Sequence, residues 1–233
     1  MVPNSAAYVA GYFGIARAGG VIAPLNVRYR TQELVYYLED TRAAALVVSP
    51  DLVDVAREAI APMPGAPPLV EIDDAGACRV LGGATPGAAA AARDAAGAPL
   101  GAAPLMHQYT SGSTGAPKRV VRTHAQLLYE LGALADTFHL GPGDRFLGAA
   151  PFTHVNGLVR TMLTSMFVGG TLYPVKRFDR RGALNLITGQ RLTYFGGVPT
   201  MFVLLADTPV RGTVDLGSLR TVFSASAPLL PGD

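Results

Sequence analysis

Ten consecutive residues, Tyr109-Thr110-Ser111-Gly112-Ser113-Thr114-Gly115-Ala116-Pro117-Lys118, gather the side chains of this chain best suited to chemistry. Thr110, Ser111, Ser113 and Thr114 offer hydroxyl donors. Gly112 and Gly115 let backbone N–H groups approach a ligand, and Lys118 adds a mobile positive charge. Together they fit the oxygens of a polyphosphate. An ordinary polar turn uses the same residue types, so composition alone leaves both readings open. Two details narrow the geometry. Ala116 and Pro117 separate the second glycine from the lysine, whereas in the Walker A pattern the lysine follows directly. Proline also biases its predecessor away from the α region, so no helix is expected to begin after the glycines. The flanks, residues 104–109 and 119–123 with Val120 and Val121, read as strands, which makes a strand–loop–strand clasp.

The rest of the chain must position that clasp. The spacing predicts a helix over residues 6–18, ended by Gly19-Gly20, and a short apolar strand over 21–25. Thr31 reads as the cap of a helix with Leu34, Tyr37 and Leu38 at i, i+3, i+4 spacing. A buried strand over 43–49 and a helix over 52–60 follow. Residues 61–103 change character. Pro62, Pro64, Pro67 and Pro68 break regular structure, and 82–103 is dominated by Ala, Gly and Pro. This stretch reads as a surface insertion, with alanine content favouring a helix over 88–96. After the clasp, Thr123 is a candidate N-cap for a helix running to about Phe138, with Leu127, Leu128, Leu131 and Leu134 as its stripe. Strands over 145–150, 172–175, 194–196 and 221–224 alternate with helices over 158–168 and 200–206. Arg177, Arg180 and Arg181 read as a solvated turn. Short strands alternating with helices specify an α/β protein of layered sheets with packed helices.

The clasp sequence, followed by Val120-Val121 and Thr123-His124, resembles the signature of the adenylate-forming, or AMP-binding, superfamily. That superfamily contains acyl-CoA synthetases, adenylation domains of peptide synthetases, and luciferases. The resemblance covers nearly the whole chain. It includes Asn4-Ser5, residues 19–26, the second signature Pro151-Phe152-Thr153-His154-Val155-Asn156-Gly157, Gly197-Val198-Pro199-Thr200, and residues 219–224. Ser224-Ala225-Ser226-Ala227-Pro228-Leu229 is similar to the segment that lies against adenine, where glycines are more usual at 225 and 226. Arg119 departs from the pattern, since the family usually has glycine there.

The resemblance implies ATP-dependent activation of a carboxylic acid with release of pyrophosphate, followed by thioester formation on coenzyme A. It assigns Thr110, Ser111, Ser113, Thr114 and Lys118 to the β- and γ-phosphates, with Gly112 and Gly115 permitting close approach. Lys118 and His154 are the catalytic candidates, and Ser226, Ala227 and Pro228 the adenine contacts. A lone histidine after a strand is, on its own chemistry, more often a hydrogen-bonded structural residue than a catalytic one. Magnesium would accompany ATP, with its main glutamate ligand expected downstream of this chain, so no metal ligand is assigned within it. Residues 1–233 are accordingly expected to be a truncated part of the large N-terminal domain, without the mobile C-terminal one. Three readings stay open: an acid–CoA ligase, as in fatty acid metabolism; an adenylation domain serving a carrier-bound amino or aryl acid; and a non-catalytic nucleotide-binding fragment.

Composition bounds the alternatives. Hydrophobic residues make up 49% and charged residues 15%, which supports a sizeable core and argues against disorder. A net charge of +2 without clustering gives no basis for a nucleic-acid partner. The single cysteine, Cys78, excludes an intrachain disulfide framework and is compatible with a reducing cytoplasm. Residues 161–175 form the most apolar later stretch. It is shorter than the ~20 residues a membrane span needs and contains Gly169-Gly170. The expected partners are a small carboxylic acid, ATP and coenzyme A.

Overall fold

The structure is a computed structural model that describes residues 1–82, 100–110, 117–209 and 214–228. The helix expected over 88–96 lies outside the described residues. The chain divides into two compact units, Met1–Leu127 and Leu128–Asp233. Both are α/β.

In the first unit, α1 (Ala6–Arg17) begins where Ser5 Oγ accepts the Tyr8 N–H at 3.1 Å, a side-chain N-cap. Its Ala7 and Tyr8 pack with Ile72 and Val47. Residues 21–25 make only one bridge, Ile22 with Met106, rather than the strand expected there. Pro24 has no N–H to continue a ladder. Helix α2 (Thr31–Thr41) starts one residue earlier than the sequence suggested: Arg30 is the N-cap, and its N–H donates to Glu33 Oε2 at 3.0 Å. Leu34, Tyr37 and Leu38 are buried as their spacing required. They share a cluster with β1 (Leu46–Val48) and α3 (Val53–Ile60).

Within the proline-rich stretch, Leu69-Val70-Glu71-Ile72 forms β2 (Leu69–Ile72), parallel to β1, and β3 (Cys78–Val80) pairs antiparallel to β2. Their β-branched residues decide this in spite of the neighbouring prolines. The clasp flanks pair as expected, β4 (Pro104–Thr110) antiparallel to β5 (Lys118–Thr123). Helix α4 (His124–Phe138) follows at once. Thr123 caps it reciprocally: the Gln126 N–H donates to Thr123 Oγ1 at 3.3 Å, and the Thr123 N–H donates to Gln126 Oε1 at 3.0 Å.

The second unit is built on a parallel sheet of order β7-β6-β8-β9, with β6 (Arg145–Gly148), β7 (Thr171–Pro174), β8 (Tyr194–Gly197) and β9 (Thr221–Ser224). Between β6 and β7 runs a helical stretch: α5 (Val155–Gly157), a π-helical segment (Leu158–Leu163) and α6 (Thr164–Phe167). The widening has a local cause. Thr161 and Thr164 donate their hydroxyls five residues back, to the carbonyls of Asn156 at 3.2 Å and Val159 at 2.8 Å. The arginine-rich turn is instead the start of a helix, α7 (Arg180–Gly189). Asp179 caps it by accepting the Gly182 N–H at 2.7 Å, while Ala183, Leu184 and Ile187 face inward. The signal was present in the Asp cap and the i, i+3, i+4 apolar spacing. A last helix, α8 (Pro199–Ala206), joins β8 to β9. Among the described residues no helix is long and apolar enough to cross a membrane.

Candidate functional site

The clasp candidates fall in the first unit. Thr110 ends β4 and Lys118 opens β5, and the two are cross-strand partners. The hairpin therefore brings the two ends of the signature side by side, with Lys118 exposed. Ser111, Gly112, Ser113, Thr114 and Gly115 lie outside the described residues. A cavity of about 850 Å³ also lies in this unit, lined by α1, residues 19–25 and the Ala43–Val47 edge. None of the sequence-assigned site residues lines it. His107 does, and burial, reinforced by the Arg119 charge, pushes its pKa below the ordinary histidine value.

The remaining candidates fall in the second unit, at the carboxyl ends of its strands. β6 has β7 on one side and β8 on the other, so the chain steps one way from β6 to β7 and then crosses back past β6 to reach β8. Open parallel sheets bind ligands at such a switch point, outside the carboxyl ends of the strands. The second signature leaves β6 at this end. His154 is the N-cap of α5, with an extended backbone and an exposed side chain. Its N–H donates to the Pro151 carbonyl at 3.1 Å, and its own carbonyl accepts the Leu158 N–H at 2.8 Å. These bonds fix the backbone and leave the imidazole to the solvent side.

Three segments recognised separately in the sequence meet at one atom, the Gly197 carbonyl oxygen. It accepts Asn156 Nδ2 at 3.0 Å and the Ala225 N–H at 3.1 Å. Gly197 is also the register partner of Ser224. Two buried polar atoms at this junction have no partner among the described residues: Asn156 Oδ1 and Ser224 Oγ. Orphaned buried acceptors and hydroxyls are uncommon in folded proteins, and a ligand bringing donors and acceptors satisfies them. Ser224 opens the segment 224–229, and Asn156 belongs to the second signature. Neither showed its buried polar atom in the sequence.

Ser226 has φ +74°, in the left-handed region. A left-handed backbone is thus held without a glycine, at a steric cost of roughly 1–2 kcal/mol. Replacing Ser226 with glycine removes that strain and adds unfolded-chain entropy, for a net gain of about 0.5–1 kcal/mol. We expect Ser226→Gly to raise the thermal midpoint by a few degrees in calorimetry, while Ser226→Ala leaves it nearly unchanged. A lower midpoint for the glycine variant would refute the strain.

The family profile described as AMP-binding enzyme matches residues 1–232. A feruloyl-CoA synthase of Amycolatopsis is 32% identical over 233 residues, covering 99% of this chain and 44% of that protein. The long-chain-fatty-acid–CoA ligase FadD13 of Mycobacterium tuberculosis is 29% identical over 232 residues, covering 98% of this chain and 44% of its own length. Among solved structures, ATP-bound MatB from Rhodopseudomonas palustris superposes with a TM-score of 0.78 at 29% identity, over 98% of this chain and 44% of that one. The chain therefore spans about half the length of the curated relatives it matches. With a matching profile over 232 of its residues and this strand-end architecture, the chain belongs to the AMP-binding enzyme family.

Proposed function

We propose that this chain acts within an ATP-dependent acid–CoA ligase, in which the carboxylate of a small acid attacks the α-phosphorus of ATP and pyrophosphate leaves. The acyl group then passes from AMP to the thiol of coenzyme A. One observation carries the reading: the antiparallel pairing of Thr110 with Lys118, which places both ends of the clasp signature at the tip of one hairpin. The substrate carboxylate is ionised at neutral pH, so no protein nucleophile is required. What the chain supplies is position and charge. Lys118 neutralises phosphate charge, and the hydroxyls and N–H groups of 110–115 take the β- and γ-phosphate oxygens. His154 borders the acyl group and the α-phosphate, while Ser226, Ala227 and Pro228 lie against adenine.

The orphaned Ser224 and Asn156 atoms support a bound ligand at the second unit's strand ends. Among the described residues no three carboxylate, imidazole or thiol groups converge, so magnesium enters the proposal as the counterion of ATP. The named relatives, a feruloyl-CoA synthase and a fatty-acid–CoA ligase, support coenzyme A as the acceptor and an aryl or long-chain acid as the substrate. In this reading all 233 residues serve one adenylation domain in a reducing cytoplasm, with β2 and β3 of the 61–103 stretch extending the sheet begun by β1.

Calorimetric titration with Mg·ATP tests it. Lys118→Ala is expected to weaken binding about 10- to 30-fold, the value of a charge-assisted contact. Acid-dependent exchange of labelled pyrophosphate into ATP, with ferulate or a long-chain fatty acid, then tests the chemistry. Unchanged ATP affinity in Lys118→Ala would sink the clasp assignment. ATP binding without exchange would support a nucleotide-binding role alone.

A further inference from the structure

Helix α2 reaches the stem of the clasp at three places, all within the first unit. The Tyr36 hydroxyl donates to the Pro117 carbonyl at 2.7 Å. The Tyr109 hydroxyl donates a short hydrogen bond to Asp40 Oδ2. Arg119 Nη1 donates to the Asp40 backbone carbonyl at 2.7 Å, and its Nε lies 3.5 Å from Asp40 Oδ2. That carbonyl belongs to the last turn of α2, where carbonyls lack intrahelical donors and form the negative end of the helix dipole. The Arg119 guanidinium thus closes the helix end while gripping the hairpin. Tyr109 also packs edge-on against Tyr37, with ring centroids 4.5 Å apart.

The hairpin's own ladder runs from Pro104 to Thr110 along its backbone. The placement of the α2 contacts is what matters. Tyr109 directly precedes Thr110, and Pro117 and Arg119 flank Lys118, so every contact brackets a residue of the clasp stem. Desolvation and the Asp40 contact both hold the Tyr109 hydroxyl protonated, pushing its pKa up. It therefore remains a donor at every working pH.

Resting on the nucleotide reading above, we propose that Tyr36, Asp40 and Arg119 are positioning residues, a latch from α2 that sets Thr110 and Lys118 for the phosphates of a nucleotide. Arg119 stands where the family pattern has glycine, which has no side chain to reach Asp40. The Arg119 arm of the latch rests on that departure, whereas the Tyr36 and Tyr109 bonds do not. The partly exposed Arg119–Asp40 pair adds little to stability, as such pairs do. Its effect is on direction.

The test compares Tyr36→Phe, Asp40→Asn, Arg119→Gly and the double variant Asp40→Asn/Arg119→Gly with the parent chain. Each single change is expected to weaken Mg·ATP binding about 5-fold, with thermal midpoints held within a few degrees. The double variant should lose less than the product of its parents' losses, because either change already removes the Arg119 Nε–Asp40 Oδ2 pair. ATP affinities within twofold of the parent in all variants, or losses that multiply in the double, overturn the latch. Amide hydrogen exchange reads it without ATP. Residues 106–110 and 118–122 should exchange faster in the variants while β1 and β2 are unaffected; unchanged hairpin rates overturn it. A parent chain that fails to bind ATP, with hairpin exchange still altered, removes the nucleotide reading and keeps the latch.

Discussion

Gly157→Ala is expected to destabilise the second unit by about 4 kcal/mol, in the range reserved for severe core disruption. A Cβ built at Gly157 would stand 2.3 Å from the carbonyl oxygens of both Ala150 and Pro151. Those are backbone atoms of the segment leaving β6, so no side-chain rotation relieves the clash. Either that segment or the start of α5 must move by about 1 Å, breaking the contact of Asn156 with Gly197 on which the site depends. For a unit of this size the loss corresponds to a fall in midpoint of about 20 °C. Gly132→Ala is the matched control. It lies in α4 with nothing within 4 Å of its Cβ position, and alanine there should stabilise by up to about 1 kcal/mol. Scanning calorimetry of both variants checks the pair. A Gly157→Ala midpoint within 5 °C of the parent, roughly 1 kcal/mol, would refute the close approach.

The second large effect is expected at Asp144, whose side chain is 3% exposed. Its carboxylate accepts the Gly141 N–H at 2.9 Å, the Thr193 hydroxyl at 2.6 Å and a short bond from Arg220. Its own carbonyl accepts the Thr171 N–H, and the Thr193 carbonyl accepts Arg220 and Thr221. One residue therefore ties together the amino ends of β6, β7, β8 and β9, opposite the strand ends near Asn156 and Ser224. Asp144→Asn turns one acceptor into a donor facing donors and removes the charge partner of Arg220. The expected cost is about 3 kcal/mol at pH 7.

Desolvation raises the Asp144 pKa, but its bonds to Thr193, Gly141 and Arg220 outweigh burial, so the folded value sits below the ordinary one. A depressed folded pKa gives stability that is complete above the unfolded value of about 3.9 and is lost as pH falls through the folded value. The gap between parent and Asp144→Asn should therefore be widest at neutral pH and shrink below about pH 4. Urea denaturation at pH 7 and pH 3 measures it, and an equal gap at both values would rule out the ionic contribution.

Much of this was legible in the sequence because it is local. Thr123 and Gln126 cap α4 through bonds three residues apart, and the spacing of Leu34, Tyr37 and Leu38 buried them as expected. The strand flanks of the clasp followed from Pro117 and the β-branched pair, and its family followed from ten residues in order. Local rules also erred where two local signals competed. Arg180 and Arg181 hid the Asp179 cap of α7, and the prolines near 62–68 masked the β-branched run of β2.

The tertiary structure alone decided three things. It joined Asn156, Gly197 and Ala225 at one carbonyl, it gathered four strand ends on Asp144, and it set Asp40 beside Arg119 across 79 residues of chain. The reason is physical. Caps, turns and periodic faces are set by φ/ψ preferences within a few residues, whereas a carboxylate or carbonyl finds a distant partner only after the core has fixed the elements that carry both. The sequence by itself determined the family. The fold decided which distant residues meet the clasp's stem.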